Sequence, residues 1–411
     1  MYIVTKHLMK RYPYLTLIFF IAFLNGFAQS KLKTGTWRGV LKPAAGELPF
    51  NFEVKDTAGR QQLTIINAQE RFKVTYIKTQ GDSVFIHMPL FDSEFRLQQQ
   101  EGRLAGQYIR HLGERDVATP FTAQHNIKWR FFESPEKPAF NVTGRWSSIF
   151  GEGTDRDTTV GEFKQTGNKV TGTFLTTTGD YRYLEGTLNG NKLYLSCFDG
   201  GHAFLFTADV QDGNSITNGL FGKTPWTAVK NANAKLPDAY SLTVLKPGYK
   251  KIEFSFPDLD GKKVSLDDDR FKNKVVILQV MGSWCPNCMD ETAYLVNYYK
   301  KYHKKGVEVA GLAYERTADF EKSRKAVLQE KQHFNIPYPL LITGYTSNKK
   351  ETAKSLPMLS NFLAFPTTII IDKKGEVRKI YTGFSGPGTG AYYTEFVSEF
   401  ERLTESLLAE K

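Results

Sequence analysis

Cysteine is scarce in this chain: its 411 residues include three, Cys197, Cys285 and Cys288. The single C-x-x-C pair is joined by no second C-x-x-C and no H-x-x-x-H, so no tetrahedral zinc set is completed. Covalent haem attachment is excluded too, because the residue after Cys288 is Met289 rather than histidine. No metal and no organic cofactor is expected. Concentrated positive charge is also lacking. The formal charge is +11, but the basic residues are interspersed with Asp and Glu and form no aromatic-basic stripe, so no nucleic-acid partner is expected.

A membrane-spanning apolar run is missing as well. The longest N-terminal run, Tyr14 to Leu24, covers eleven residues, against the roughly 20 that a spanning helix needs. Lys6, Lys10 and Arg11 precede it, and Gly26-Phe27-Ala28 puts small residues at minus three and minus one of a cut after Ala28. This pattern predicts a cleavable signal peptide over 1–28 and a mature protein in the periplasm or cell envelope. An uncleaved anchor is the alternative. No cysteine lies near the cut, which argues against lipoprotein attachment.

The most informative segment is VVILQVMGSWCPNCMDE, Val275 to Glu291. An apolar strand runs into a helix predicted from Cys285 to about Lys305. Free N–H groups and the positive dipole end at a helix start favour thiolate over thiol, and the thiolate is the form that attacks a disulfide. Cys288 lies one turn on, placed to close a ring with Cys285. Pro286 suits the first helical position, Asp290 and Glu291 the first turn, Lys300, Lys301, Lys304 and Lys305 the last, and Gly306 the terminus. Redox exchange is the chemistry this arrangement favours, with a structural disulfide as the plainer reading.

Phe254 to about Leu408 resembles the TlpA-like and ResA-like thioredoxin-fold disulfide reductases of bacterial envelopes. FSFPDLDGKKVSL (Phe254 to Leu266) is similar to the hairpin preceding the fold, with Asp260-Gly261 as its turn. Trp284 before the first cysteine belongs to the family signature, and FPTTIIIDKKGEVRKIYTGF (Phe365 to Phe384) resembles the segment with the cis-proline. The resemblance implies a cis Pro366 and a substrate-docking surface formed by Trp284, Pro286, Phe365 and Pro366. It implies a proton-handling role for Glu291, three residues after Cys288, with an ordinary helix-start acid as the alternative. Where thioredoxins keep a buried aspartate, six residues before Cys285, stands Gln279, which cannot accept a proton. Peroxiredoxins share the fold, but the P-x-x-x-T-x-x-C setting of their cysteine is absent before Cys285.

The downstream order fits the same fold: a strand over Val307–Glu315, a charged helix from Ala318 to about Gln332 and a strand over Pro339–Thr343. Asn348 to about Asn361 follows as helix with a break near Pro357, then a hairpin around Lys374-Gly375 and an amphipathic helix over Ala391–Leu408. The expected function is thiol–disulfide exchange in the reducing direction, with Cys285, Cys288 and Glu291 as the reacting set. Substrates would be disulfide-containing envelope proteins, and a membrane thiol donor would supply electrons, with maturation of c-type cytochromes as one destination. Two alternatives are an oxidase or isomerase, and a binding module carried on a thioredoxin-like scaffold.

Residues 31 to about 230 read as all-β: short alternating runs with turn dipeptides every eight to twelve residues. Gly35-Thr36-Trp37 answers Gly144-Arg145-Trp146 at an offset of 109, and Gly81–Met88 answers Gly190–Cys197 at the same offset. A duplication is therefore expected, with units over 31–135 and 141–230, each a barrel-like set of about seven or eight strands. Trp37 and Trp146 are expected as core plugs and Cys197 as a buried thiol. Tyr181, Tyr183 and Phe198 are pocket candidates that strand packing would equally explain. A linker over 231–249, with Pro237 and Pro247, leads to the catalytic domain at 250–411.

Overall fold

A computed structural model describes residues 31–410 apart from Glu114; the expected signal peptide, 1–28, lies outside the described residues. Two nine-stranded antiparallel sheets occupy the N-terminal half. In the first, each strand pairs with its sequence neighbour, except that Glu70–Val74 and Tyr76–Gln80 stand at the two ends of the order. Asp116–His125 returns to pair with Gly35–Leu41, which curls the sheet into a nearly closed barrel. In the second, Gly144–Phe150 pairs with Thr224–Lys230 and Asp157–Thr166 with Lys169–Thr176, so eight strands form a ring. The ninth strand, Gly179–Asp180, hangs on Lys169–Thr176. Each sheet therefore carries nine strands rather than seven or eight; short runs such as Tyr76–Gln80, with one buried residue, alternate too weakly to count by eye.

Both barrels bury aromatic cores. Trp37 and Trp146 are buried, and each indole Nε1–H donates to the carbonyl four residues earlier, Lys33 O and Val142 O, at 2.9 Å. Polar contacts tie one barrel to the other. Asn67 Nδ2 donates to Phe198 O at 2.7 Å, Tyr108 Oη to Gly200 O at 2.5 Å, and Arg130 Nη2 to Ile66 O at 2.5 Å while its Nη1 reaches Ser196 O at 3.2 Å.

The C-terminal half has a thioredoxin-like fold. Its elements are β1 (Val275–Met281), α1 (Pro286–Tyr302), β2 (Val307–Glu315), α2 (Phe320–Phe334), β3 (Leu340–Thr346), α3 (Lys349–Ser355), β4 (Thr367–Ile371), β5 (Val377–Thr382) and α4 (Ala391–Ala409). The sheet order is β3-β2-β1-β4-β5, with β1, β2 and β3 parallel and β4 and β5 antiparallel. All seven residues of β1 are buried, as expected of a central strand covered on both faces. The preceding hairpin forms between Ser255–Pro257 and Lys263–Ser265, with Gly261 at φ 80° in its turn.

Two segments depart from the sequence expectation. The helix expected to about Asn361 stops at Ser355, because a residue before proline is pushed out of the α region and Pro357 has no N–H to continue the ladder. The chain then forms Leu359–Ser360, which pairs with Val244–Leu245 from the expected linker. Thr243 adds a hydroxyl bond to Asn361 O at 3.1 Å and accepts one from Thr382 at 2.9 Å, so this stretch is docked on the C-terminal domain. Among the described residues, no helix is long and apolar enough to cross a membrane.

Candidate active site

Cys285 and Cys288 form a disulfide with their Cα atoms 5.2 Å apart. Cys285 is the N-cap of α1 and Pro286 its first residue. The Cys288 N–H donates to Cys285 Sγ at 3.2 Å, which supplies one orphan helix-start donor directly to the sulfur that would carry charge. Lys300 and Lys301 close the other end of the helix, and a short 3-10 turn, His303–Lys305, runs into Gly306 at φ 107°. Asp290 and Glu291 fall just past the first turn rather than in it and are engaged elsewhere, which disfavours the alternative of a helix-start acid for Glu291.

The Phe365-Pro366 bond is cis. Phe365 O lies 3.6 Å from Cys285 Sγ, and the Phe365 ring meets Trp284 edge-on with centroids 5.4 Å apart. Trp284 is fixed from behind by its Nε1–H, which donates to Tyr314 O at 2.9 Å. Pro366 O accepts the Gly383 N–H at 2.9 Å, which ties the cis-proline turn to the end of β5. The structure thus gathers Trp284, Cys285, Pro286, Phe365 and Pro366 around one sulfur.

Glu291 points inward from α1. Its Oε1 accepts the Thr368 hydroxyl from β4, while Oε2 is buried without a partner. Burial pushes its carboxyl up to about 7, only partly offset by the hydrogen bond from Thr368. Gln279 on β1 is fully buried and donates to Cys288 O at 3.2 Å, so it braces the helix start and takes no part in proton exchange.

The Redoxin family matches residues 232–394. Thiol-disulfide oxidoreductase ResA from Bacillus thuringiensis subsp. konkukian (strain 97-27) is 31% identical over 130 residues, which are 32% of this chain and 66% of that protein. Thioredoxin-like protein YneN from Bacillus subtilis (strain 168) is 30% identical over 164 residues, 40% of this chain and 84% of YneN. The chain belongs to the ResA/TlpA-like thioredoxin-fold proteins. A solved thiol-disulfide oxidoreductase from Bacteroides fragilis NCTC 9343 is 20% identical, with a TM-score of 0.29, covering 38% of this chain and 99% of that one. The chain thus spans just under two thirds of the ResA relative, 66% of its length.

In this ResA/TlpA-like protein, sequence reasoning missed the groups that surround the site from the β half. Arg182 is 2% exposed and pairs with three carboxylates: Glu70 of the first sheet, Asp199 of the second at 2.9 Å, and Asp290 of α1. No pattern in GDYRYLE marks Arg182 as buried. Two acids of the C-terminal half were also overlooked. Glu315, ending β2, accepts Ser283 N and Oγ at 2.8 and 2.7 Å. Glu330 on α2 is fully buried with neither oxygen in a hydrogen bond, and burial pushes it up to about 8, with a further push from Glu315. Tyr181 and Phe198 are packing residues, Tyr181 in the second barrel's aromatic cluster and Phe198 among the first barrel's. Cys197 is buried in the second barrel, its thiol pushed far up by desolvation. Among the described residues, no group of His, Cys, Asp and Glu is arranged to hold a metal ion.

Proposed function

We propose that the protein is an extracytoplasmic thiol–disulfide oxidoreductase that reduces disulfides of envelope proteins. The observation that carries this reading is Cys285 Sγ at the cap of α1, receiving the Cys288 N–H and facing the carbonyl before the cis Pro366. The Cys285 thiolate attacks a substrate disulfide; one substrate sulfur joins Cys285 and the other leaves as a thiol after taking a proton. Cys288 gives its proton to Glu291 and attacks Cys285 Sγ; the bond from Cys285 to the substrate breaks, the second substrate sulfur leaves as a thiol by taking that proton from Glu291, and the enzyme disulfide remains. Two electrons and two protons from a membrane thiol donor restore the dithiol. Trp284, Pro286, Phe365 and Pro366 hold the substrate segment, and no metal or organic cofactor enters the cycle. Maturation of c-type cytochromes is one destination compatible with this chemistry.

The location rests on the leader-like N-terminus, and the division into 31–135, 141–230, 231–249 and 250–411 on the strand pattern. The similar pairing of the two sheets and the matching Trp37 and Trp146 bonds support a duplication. Cys285→Ser is expected to lower insulin reduction by at least about a thousandfold, and an unchanged rate would overturn the enzymatic reading. The couple's reduction potential, equilibrated against dithiothreitol, is expected near or below about −250 mV. A value near about −120 mV would reverse the direction to oxidation.

A further inference from the structure

The surface that should receive substrate is covered. Cys285 is 6% exposed, Cys288 is fully buried, and Pro286, Phe365 and Pro366 are buried as well. Phe365 is packed on Trp284, Tyr314 and Phe362 of its own domain, while two loops of the second barrel cover the Pro286–Asn287 side of this surface. In one, Gly179 is pressed so tightly on Asn287 that a Cβ there would overlap its side-chain amide, and a Cβ on Gly383 would stand 2.8 Å from Thr178 C. Asp180, in the same loop, accepts the Gly386 N–H at 2.7 Å. In the other, Gly201 lies where a Cβ would be 3.0 Å from Pro286 Cγ and 2.9 Å from Phe91.

One side chain holds both loops to the helix. Arg182 extends from the first loop, reaches Asp199 at the base of the second, and meets Asp290 and the Pro286 carbonyl on α1, the last at 3.4 Å. Glu70 draws in the first barrel. Asp199 in turn accepts the N–H groups of Gly201 and His202 at 2.8 and 2.6 Å, which sets the second loop's shape against Pro286. On the Trp284 side a cavity of about 220 Å³ remains, bordered by Phe91, Ser283, Arg316 and Lys322.

We propose that Arg182 is a specificity-determining residue of the dithiol: it clamps the two loops over the docking face, so that disulfides on small or thin, unfolded segments react and those of folded proteins are held off. This rests on the exchange activity proposed above. The three-way charge contact is buried, so it resists salt. The β half thereby sorts substrates for a reactive pair to which it contributes no reacting atom.

The test compares the reduced full-length protein, in single turnover, with insulin and with hydroxyethyl disulfide. Wild type is expected to favour the small disulfide, and Arg182→Gln to raise the insulin-to-small-disulfide rate ratio by about tenfold or more, as the covered state loses its population. Gly201→Val approaches the same contact without touching a charge: its side chain has to displace the loop from Pro286, and it is expected to move the ratio the same way. Circular dichroism shows which variants are folded. Failure of wild type to reduce hydroxyethyl disulfide through Cys285 overturns the exchange reading itself. Turnover of that disulfide with an unmoved ratio in a folded Arg182→Gln or Gly201→Val overturns the role given to Arg182.

Discussion

Two buried carboxyl groups meet opposite fates in this molecule: Asp199, at the junction with the β half, is lowered, and Glu291, behind the dithiol, is raised. At the junction with the β half, Asp199, Glu70 and Asp290 surround a guanidinium; Asp199 is held down to about 2, because His202 and Arg182 outweigh its burial, whereas burial still lifts Glu70 in spite of Arg182. Behind the dithiol, Glu291 and Glu330 are equally buried with no cation beside them, and they rise to about 7 and about 8. The difference separates holding from reacting. A carboxylate paired in the interior stays ionised and fixes geometry, whereas an unpaired one can keep a proton near neutral pH and give it up at little cost.

The hardest way to break the comparison is to remove the cation. Arg182→Leu leaves three carboxylates facing a buried aliphatic chain, and loss of one partner from a buried ion cluster costs roughly 3–5 kcal/mol. Denaturant unfolding is expected to show an unfolding free energy lowered by that amount, and a loss under about 1 kcal/mol would mean that water enters the junction and the burial of Arg182 is incidental.

The second test acts on the unpaired side. The folded-state value of Glu291, about 7, lies above its ordinary 4.5. The native state therefore holds a proton that the unfolded chain has released, and stability falls as pH rises from about 4.5 through 7. Carried over that window the effect is about 3 kcal/mol. Glu291→Gln keeps the Thr368 contact and cannot ionise, so it is expected to remove most of that slope and to be more stable than wild type at pH 8. It should also slow Cys288-dependent release of mixed disulfide by roughly a hundredfold. An unchanged release rate with a flattened stability profile would reduce Glu291 to a packing acid.

How far the chain discloses these two sides differs, for physical reasons. The dithiol side is local: an apolar strand, Trp284, two cysteines around Pro286, and the FPTT segment stand in order, and their periodicity announces strand, turn and helix. The family resemblance singles out Glu291, three residues after Cys288. The junction is nonlocal. Arg182, Glu70, Asp199 and Asp290 come from four separated stretches, and each alone looks like a solvated surface charge. Strand alternation made the β half legible as barrels but not its strand count, because the short strand Gly179–Asp180 has too few residues to show a period. The burial of Arg182 follows from where that strand delivers the chain, at a residue with φ 55° that no propensity favours for arginine.

The mildest test returns to the junction by way of acid. Asp199 contributes stability that is present above its ordinary value of 3.8 and is lost as pH falls through about 2, because the unfolded chain takes up a proton before the native state does. The contribution is about 2 kcal/mol at neutral pH. Asp199→Asn retains the shape and the acceptor oxygen for the Gly201 and His202 N–H groups, so the loop keeps its turn while Arg182 loses one of three counter-charges. Its unfolding free energy is expected to be lower by about that amount at pH 7 and to converge with wild type near pH 2. Glu291, neutral throughout that acid range, should leave its own slope between pH 4.5 and 7 untouched in the same variant. Parallel profiles down to pH 2 would mean that the charge of Asp199 adds nothing to the junction and that its hydrogen-bonded shape alone holds the loop.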